Sequence, residues 1–185
     1  MPIREGAIER AKKIKCVILD VDGVLTDGGV YVAPDGSELY KPFFARDGLV
    51  ISLAPRAALM TAIITGRSSA IVEHRAKELH IDLIYQGCRN KCTAYADIKA
   101  KTGLTDEEIA YIGDDIIDLP VMHMVGLPCA VGDAVPEVKD AAQIIANERG
   151  GHGAVREIYE IILKTQGRWD EILTAFQTNV DEVAQ

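Results

Sequence analysis

Short apolar runs alternate with amphipathic segments along most of this chain. Runs with the length of buried parallel strands occupy residues 15–19, 59–64, 83–85, 109–112 and 127–131. Apolar residues at helical spacing predict helices at 69–79, 91–102, 136–142 and 154–164. Strands joined by helical crossovers imply right-handed parallel connections. The pattern therefore predicts an α/β fold, a Rossmann-like parallel sheet flanked by helices.

Residues 28–48 interrupt this alternation. Two strand-like stretches, 30–32 and 38–41, flank the turn sequence Pro34-Asp35-Gly36-Ser37. We expect a β-hairpin flap here, and the alternative is a plain edge extension of the main sheet. The 185 residues suit a single domain over 1–185, which ends in a helical tail at about 154–185.

The composition limits the classes of partner. The net charge is −8, and an acidic surface disfavours nucleic-acid binding. No apolar run has membrane-spanning length and the N-terminus lacks a signal-peptide core, so we expect a cytoplasmic protein that binds no membrane. The four cysteines lack zinc-site spacing, and we expect reduced thiols. An anionic substrate would need local cations, for which the candidates are Lys41, Arg46, Arg67, Arg89 and Lys91.

Two carboxylates follow the first predicted strand. Asp20 and Asp22 come directly after 15–19, and the carboxyl ends of the strands form the ligand crevice of an open α/β sheet. Asp20 can act as a nucleophile and metal ligand, while Asp22 can give a proton to a leaving group and take one from water. Gly23 allows a sharp turn after the strand. An Asp-Gly turn with solvated carboxylates is the alternative interpretation.

A hydroxyl and a cation follow two further strands. Thr65 ends the run 59–64 just before a predicted helix N-terminus, which donates N–H groups to anions. Lys91 begins a predicted helix, where the helix dipole disfavours a cation, and stabilising a phosphoryl oxygen would explain its position. An ordinary capping or turn hydroxyl and a solvated lysine are the alternatives.

A cluster of acids follows the strand 109–112. Asp114, Asp115 and Asp118 occur there in the sequence G-D-D-x-x-D. Adjacent carboxylates repel each other unless a cation lies between them and Asp20. Mg²⁺ is the natural candidate, because it binds hard oxygen ligands from carboxylates and substrate phosphate.

The order D-x-D-G, Thr, Lys, G-D-D-x-x-D, each after its own strand, resembles the haloacid dehalogenase superfamily of phosphohydrolases over about 15–131. The resemblance implies a haloacid dehalogenase-like fold. Asp20 would be the nucleophile that forms an aspartyl-phosphate, Asp22 the general acid and base, and Thr65 and Lys91 the groups that hold the phosphoryl group.

The same resemblance implies a magnesium site. Its ligands would be Asp20, Asp114 and the backbone carbonyl of Asp22, while Asp115 and Asp118 would support these ligands or hydrogen-bond Lys91. A helical cap domain, which encloses substrate in many members, would not fit between the motifs. We therefore expect a capless enzyme whose open site is closed by a neighbouring subunit.

A narrower resemblance links the hairpin, the stretches 43–48 and 87–91, the G-D-D-x-x-D-x-P-V-M segment and residues 150–157 to the 3-deoxy-D-manno-octulosonate 8-phosphate phosphatases. It implies a cytoplasmic, magnesium-dependent homotetramer that removes phosphate from an eight-carbon sugar acid before its activation for lipopolysaccharide synthesis. The substrate-binding residues would be Arg46, Asp47, Gly66, Arg67 and Arg156, with Arg156 completing a neighbouring site. Cys88-Arg89 depart from the smaller polar residues expected before Asn90, which leaves sugar selectivity open.

Other functions stay open at this point. A phosphatase for a nine-carbon nonulosonate 9-phosphate would carry the same motifs. A phosphomutase must exclude water, which a capless chain does poorly. A catalytically silent domain associated with a sugar-nucleotide synthetase is disfavoured by the intact carboxylates and lysine. The glycine-rich segment 150–153 beside His152 fits an active-site role and a plain flexible connection equally well.

Overall fold

The computed structural model describes residues 2–81 and 83–178. The strands in this part of the chain are β1 (Cys16–Leu19), β2 (Tyr31–Val32), β3 (Glu38–Tyr40), β4 (Met60–Ile64), β5 (Leu83–Tyr85), β6 (Ile109–Gly113), β7 (Leu127–Ala130) and β8 (Ile144–Ile145). Six of them form a parallel sheet in the order β5-β4-β1-β6-β7-β8. The antiparallel hairpin β2-β3 is a separate sheet, so it is not an edge extension of the main one.

Helices join the strands and cover the sheet. They are α1 (Ala7–Ala11), α2 (Ala45–Leu53), α3 (Ala70–Glu78), α4 (Lys91–Thr102), α5 (Leu119–Met122), α6 (Pro136–Ala141), α7 (Ala154–Thr165) and α8 (Trp169–Thr178). Short 3₁₀ turns cover residues 54–57, 106–108 and 116–118. Among the described residues, no helix combines the length and the apolar character that crossing a membrane requires.

Strand β1 lies at the centre of the sheet between β4 and β6. Leu19 is level with Ile63 of β4 and with Ile112 of β6. Every side chain of β1 and β6 is buried, because both strands are covered on both faces, as continuous apolar runs require. The residues that follow these strands therefore leave the sheet at one common edge.

Helix α7 closes one face of the core. Its apolar residues Val155, Ile158 and Ile162 recur at helical spacing and are fully buried. The helix packs against α1 and α2. The buried apolar side chains of the sheet and of its covering helices form one continuous cluster.

The parallel sheet, the hairpin and the helices α3, α4, α6 and α7 agree with the predictions. Helix α2 was not predicted, because its run Leu49-Val50-Ile51 is continuously apolar and gives no helical period. The predicted flap 28–48 was therefore too long, since the hairpin ends at Tyr40 and α2 begins at Ala45. Helices α1 and α5 were also missed because they are very short. Residues 179–185 of the predicted tail lie outside the described residues.

Candidate active site

The residues that follow β1, β4 and β6 converge at the carboxyl edge of the sheet. Together with the first residue of α4 they line an open depression with a volume of about 280 Å³. The lining residues are Asp20, Asp22, Gly28, Thr65, Gly66, Arg67, Lys91, Asp114, Asp115 and Ile117. All the residues predicted to be catalytic therefore meet in one place, together with the predicted metal ligands.

Lys91 is a buried cation at the start of α4. The helix begins there because Asn90 Oδ1 accepts a hydrogen bond from the Cys92 N–H at 3.1 Å. Lys91 Nζ lies 2.6 Å from Asp118 Oδ1 and 2.9 Å from Asp20 Oδ1, and its side chain is 1% exposed. Burial alone would lower the pKa of Lys91, but the two carboxylates outweigh it and raise this pKa. The ammonium is therefore charged, and it is not a solvated surface lysine.

Asp118 holds this lysine in place. Its Oδ1 accepts hydrogen bonds from Lys91 Nζ and from the Tyr111 hydroxyl, both at 2.6 Å. Its Oδ2 accepts the backbone N–H groups of Asp114 at 3.0 Å and Asp115 at 3.3 Å. Because donors occupy both oxygens, Asp118 positions the lysine and the backbone that carries Asp114 rather than offering a metal ligand.

Asp20 and Asp114 lie across from each other at the ends of adjacent strands. One carboxylate oxygen from each of Asp20, Asp114 and Asp118 lies within 4.8 Å of the others. Burial, and then repulsion from Asp20 and Asp118, raises the pKa of Asp114 to about 8. Burial raises the pKa of Asp20 to about 6, although the charge of Lys91 opposes the change. The charge of Asp20 thus destabilises the charged form of Asp114.

This pair fits a magnesium ion. Asp114 Oδ1 is buried and accepts no hydrogen bond from the described residues, and Asp20 Oδ1 is buried with the Lys91 ammonium 2.9 Å away. Mg²⁺ binds carboxylate oxygens of this kind and keeps several waters. Gly23 provides the space, because a Cβ at this position would lie 2.0 Å from Asp114 Oδ2.

Asp22 lies at the edge of the depression, where its side chain is 22% exposed. Its Oδ1 accepts a hydrogen bond from Lys41 Nζ, and its Oδ2 lies 3.9 Å from Arg67 Nε. The sequence suggested Lys41 as one of several cations for an anionic substrate. The structure instead buries Lys41 against Asp22.

Thr65 lies in the turn after β4 and is 2% exposed. Its N–H donates to the Tyr85 carbonyl at 2.9 Å, and its own carbonyl accepts from the Cys88 N–H at 3.0 Å. The N-cap of α3 is Ser69, whose Oγ accepts the Val72 N–H at 3.2 Å. The alternative that Thr65 caps the helix is therefore wrong, and this residue of the turn lines the depression.

Comparisons with known proteins agree with this geometry. A model of the haloacid dehalogenase-like hydrolases matches residues 74–158. The 3-deoxy-D-manno-octulosonate 8-phosphate phosphatase of Escherichia coli strain K12 is 45% identical over 170 residues, which cover 92% of this chain and 90% of that protein. The chain belongs to the haloacid dehalogenase-like hydrolases.

Solved structures support the assignment of this chain to the hydrolase family. The phosphatase of the same name from Yersinia pestis superposes with a TM-score of 0.87 at 43% identity, covering 90% of this chain and 89% of that one. The phosphatase from Moraxella catarrhalis, solved in complex with a magnesium ion, a phosphate ion and a KDO molecule, has a TM-score of 0.89 at 40% identity. That match covers 92% of this chain and 98% of the other. The predicted haloacid dehalogenase-like fold is therefore confirmed.

Three predicted substrate-binding residues of the hydrolase lie outside the depression. Asp47 is 1% exposed and accepts the N–H groups of Gly153 at 3.2 Å and Arg156 at 2.7 Å, so it caps the first turn of α7. Burial raises the pKa of Asp47. Arg46 and Arg156 line a second depression, and Arg156 forms an ion pair with Glu160. Within one chain these residues do not join Asp20.

The glycine-rich segment packs on the loop after β1. A Cβ on Gly150 would lie 1.7 Å from the Gly23 carbonyl oxygen, so only glycine permits this close approach. The Gly151 N–H donates to the Val24 carbonyl at 2.9 Å. His152 Nδ1 lies 2.8 Å from the Gly150 carbonyl, which fixes its ring beside the segment. The segment is therefore a packed support for the loop that carries Asp20 and Asp22, and not a plain connection.

Sequence reasoning missed two residues of the site region. Tyr111 was assigned only to an apolar strand, although a tyrosine hydroxyl in a buried strand needs a hydrogen-bond partner, and here it finds Asp118. Glu38, which was assigned only to the hairpin, contacts both Lys41 and Ser69. No local pattern in the sequence indicates that pairing.

Proposed function

We propose that this protein is a magnesium-dependent phosphatase that hydrolyses 3-deoxy-D-manno-octulosonate 8-phosphate to the free sugar acid and phosphate. The observation that carries the proposal is the pair of buried carboxylates, Asp20 and Asp114, beside the charged Lys91, with no hydrogen-bond donor among the described residues for Asp114 Oδ1. Membership of the hydrolase family, whose similar members are named as phosphatases, supports the class of phosphoric monoester hydrolase.

The first displacement uses Asp20 as the nucleophile. A carboxylate oxygen of Asp20 attacks phosphorus in line with the ester oxygen, so the Asp20–phosphorus bond forms while the ester bond to phosphorus breaks. Lys91 and the Thr65 hydroxyl hold the phosphoryl oxygens, whose negative charge the buried ammonium stabilises. Asp22 gives its proton to the departing sugar oxygen.

The second displacement restores the enzyme. Water attacks the phosphorus of the aspartyl-phosphate while Asp22 accepts a proton from that water. The bond between Asp20 and phosphorus breaks, and inorganic phosphate leaves. Asp22 is then protonated again and Asp20 is again a carboxylate, so the cycle is balanced.

The residues that would hold magnesium are Asp20, Asp114 and the backbone carbonyl of Asp22. When bound, the ion would supply positive charge to the phosphoryl oxygens and to the carboxylates. Asp115 lies at the same depression, where its Oδ1 accepts the Ile116 N–H at 2.7 Å and so shapes the turn after Asp114.

Residues at the edge of the depression and on a neighbouring subunit would recognise the sugar acid. Gly66 and Arg67 line the edge, where the open side admits a substrate longer than phosphate alone. Arg46 and Arg156, with Asp47 holding the Arg156 backbone, would face the substrate from a neighbour in a cytoplasmic homotetramer.

Phosphate release by the purified protein tests the proposal. The substrates are the eight-carbon 8-phosphate and a nine-carbon nonulosonate 9-phosphate, each with magnesium and with EDTA. We expect magnesium-dependent release that is faster on the eight-carbon ester and is abolished by Asp20→Ala. Asp170→Ala, which removes an exposed carboxylate on α8, serves as the matched control. Full activity of Asp20→Ala would end the assignment.

Other outcomes identify the alternatives. Faster release from the nine-carbon ester would indicate a nonulosonate phosphatase, and equal slow rates on both would indicate a generalist. No release from any ester, including 4-nitrophenyl phosphate, at saturating magnesium would indicate a catalytically silent domain.

A further inference from the structure

Lys41 is a buried cation beside the proposed active site that no step of the hydrolysis uses. Its side chain is 3% exposed, and its Nζ forms an ion pair with Asp22 Oδ1 and a second, at 3.3 Å, with Glu38 Oε1. It follows β3 directly, so the hairpin delivers it to the site. Burial of an ammonium group costs free energy unless carboxylates neutralise its charge. These two contacts therefore fix the position of Lys41.

A second contact of the same strand ties the hairpin to the site. Glu38, the first residue of β3, accepts a hydrogen bond from the hydroxyl of Ser69. Ser69 is the N-cap of α3 and ends the turn that contains Thr65. Glu38 therefore links Lys41 to the turn that contains Thr65, while Lys41 links the hairpin to Asp22.

The other strand of the hairpin is fixed as well. The Tyr31 hydroxyl donates to Asp27 Oδ2 at 2.7 Å, in the loop that follows Asp22. The Tyr31 ring stacks on Tyr40, with 4.3 Å between the ring centroids. Contacts from both strands thus hold Lys41 in one place relative to the loop after β1.

We propose that Lys41 is a positioning residue that orients the carboxyl group of Asp22 for proton transfer to the leaving group, an inference that rests on the proposed phosphatase function. Lys41 Nζ occupies Asp22 Oδ1, which leaves Oδ2, on the side of Arg67, as the oxygen that carries the proton. A general acid must lie within hydrogen-bond reach of the leaving oxygen. Holding one carboxyl oxygen therefore sets the place of the other.

A lysine that only anchored the hairpin would have a different kinetic effect. Loss of an anchor would slow every substrate alike, whereas loss of an oriented general acid matters only where the leaving group needs a proton. Phenyl phosphate and 4-nitrophenyl phosphate separate the two cases. The two esters are similar in size, but departure of phenolate depends on protonation far more than departure of nitrophenolate does.

The experiment measures kcat/KM of Lys41→Met on both esters, a quantity that covers the steps up to release of the phenol. We expect kcat/KM to fall about tenfold more for phenyl phosphate than for 4-nitrophenyl phosphate. Lys41→Arg keeps a cation at Asp22 and is expected to restore most of the lost ratio. Glu38→Gln keeps Lys41 but weakens the second contact that fixes it, and is expected to cause a smaller loss of the same selective kind.

A double-variant cycle tests whether Lys41 acts through Asp22. In an Asp22→Asn background, Lys41→Met is expected to add no further selective loss on phenyl phosphate. Equal losses on both esters in Lys41→Met, or a selective loss that persists with Asp22→Asn, would overturn the inference. If Lys41→Met does not fold, the same ratio measured on Lys41→Gln decides. A wild-type protein that releases no phosphate from these two esters or from the eight-carbon 8-phosphate would instead overturn the proposed function.

Discussion

The hydroxyl of Tyr111 donates a 2.6 Å hydrogen bond to Oδ1 of Asp118, the oxygen that also binds Lys91. Both residues are fully buried beneath the depression. Burial, and then the charge of Asp118, raises the pKa of Tyr111 well above its usual range, so the phenol stays protonated and donates. Lys91 is therefore positioned by a carboxylate that is itself positioned by a tyrosine.

Removal of this hydroxyl in Tyr111→Phe is expected to lower the free energy of unfolding by about 1.5–3 kcal/mol, because the hydrogen bond is made to a charged group. We also expect a lower rate of phosphate release, since Asp118 and Lys91 lose their fixed geometry. Urea unfolding and steady-state assays check the two effects.

Tyr159→Phe is the matched control for that variant. The Tyr159 hydroxyl pairs with the Thr61 hydroxyl at 2.8 Å, away from the depression, so its loss is expected to cost about 0.5–1.5 kcal/mol and to leave the rate unchanged. Equal effects of the two substitutions on the rate would contradict the positioning role of Tyr111.

The stability of the metal-free protein is expected to fall as pH rises between about 4 and about 8. The folded state raises the pKa of Asp20 to about 6 and that of Asp114 to about 8, mainly through burial. The folded protein then binds more protons than the unfolded chain in this window, and the free energy of unfolding decreases with increasing pH. Urea unfolding across this range in EDTA measures the slope.

Two changes should reduce that slope. The first is Asp114→Asn, which removes the carboxyl group whose pKa is shifted more. The second is added magnesium, which would favour the charged form of both carboxylates. We expect each to stabilise the protein more at the alkaline end than at the acid end. A steep slope that survives in Asp114→Asn would show that other groups control the pH dependence.

Much of the site could be predicted from the sequence because it follows from strand order and register. Asp20, Thr65 and Asp114 each follow an apolar run within two residues, and adjacent parallel strands must bring such residues to one edge. Lys91 could be singled out because the helix dipole disfavours a cation at a helix start, and a phosphoryl oxygen was the reason suggested for it. The structure places its ammonium beside Asp20 and Asp118.

The remainder depends on tertiary packing that leaves no local signal. Lys41 meets Asp22 across 19 residues only because the hairpin folds back on the loop after β1. Asp47 contacts the start of α7 across more than a hundred residues, whereas the family resemblance implied a substrate-binding role for it. Helix α2, which carries Asp47, was missed because it is buried on much of its surface.

Asp47 is expected to contribute mainly to stability through its cap on α7. Asp47→Ala leaves the N–H groups of Gly153 and Arg156 without their acceptor, and the expected cost is about 1–2 kcal/mol in the free energy of unfolding. Asp47→Asn keeps one acceptor oxygen and should cost less. Urea unfolding of both variants decides, and a larger loss in Asp47→Asn than in Asp47→Ala would contradict the capping role.

Gly23→Ala is expected to disrupt the proposed magnesium site specifically. Gly23 has φ +89° and Gly36, in the hairpin turn, has φ +84°, so alanine at either position should cost roughly 1–2 kcal/mol of backbone strain. A Cβ at Gly23 would also lie 2.0 Å from Asp114 Oδ2, whereas a Cβ at Gly36 would meet nothing within 4 Å. Displacement of Asp114 should weaken magnesium binding by about tenfold or more in Gly23→Ala alone. Calorimetric titration of magnesium into both variants measures this, and equal affinities would show that Asp114 does not depend on the glycine.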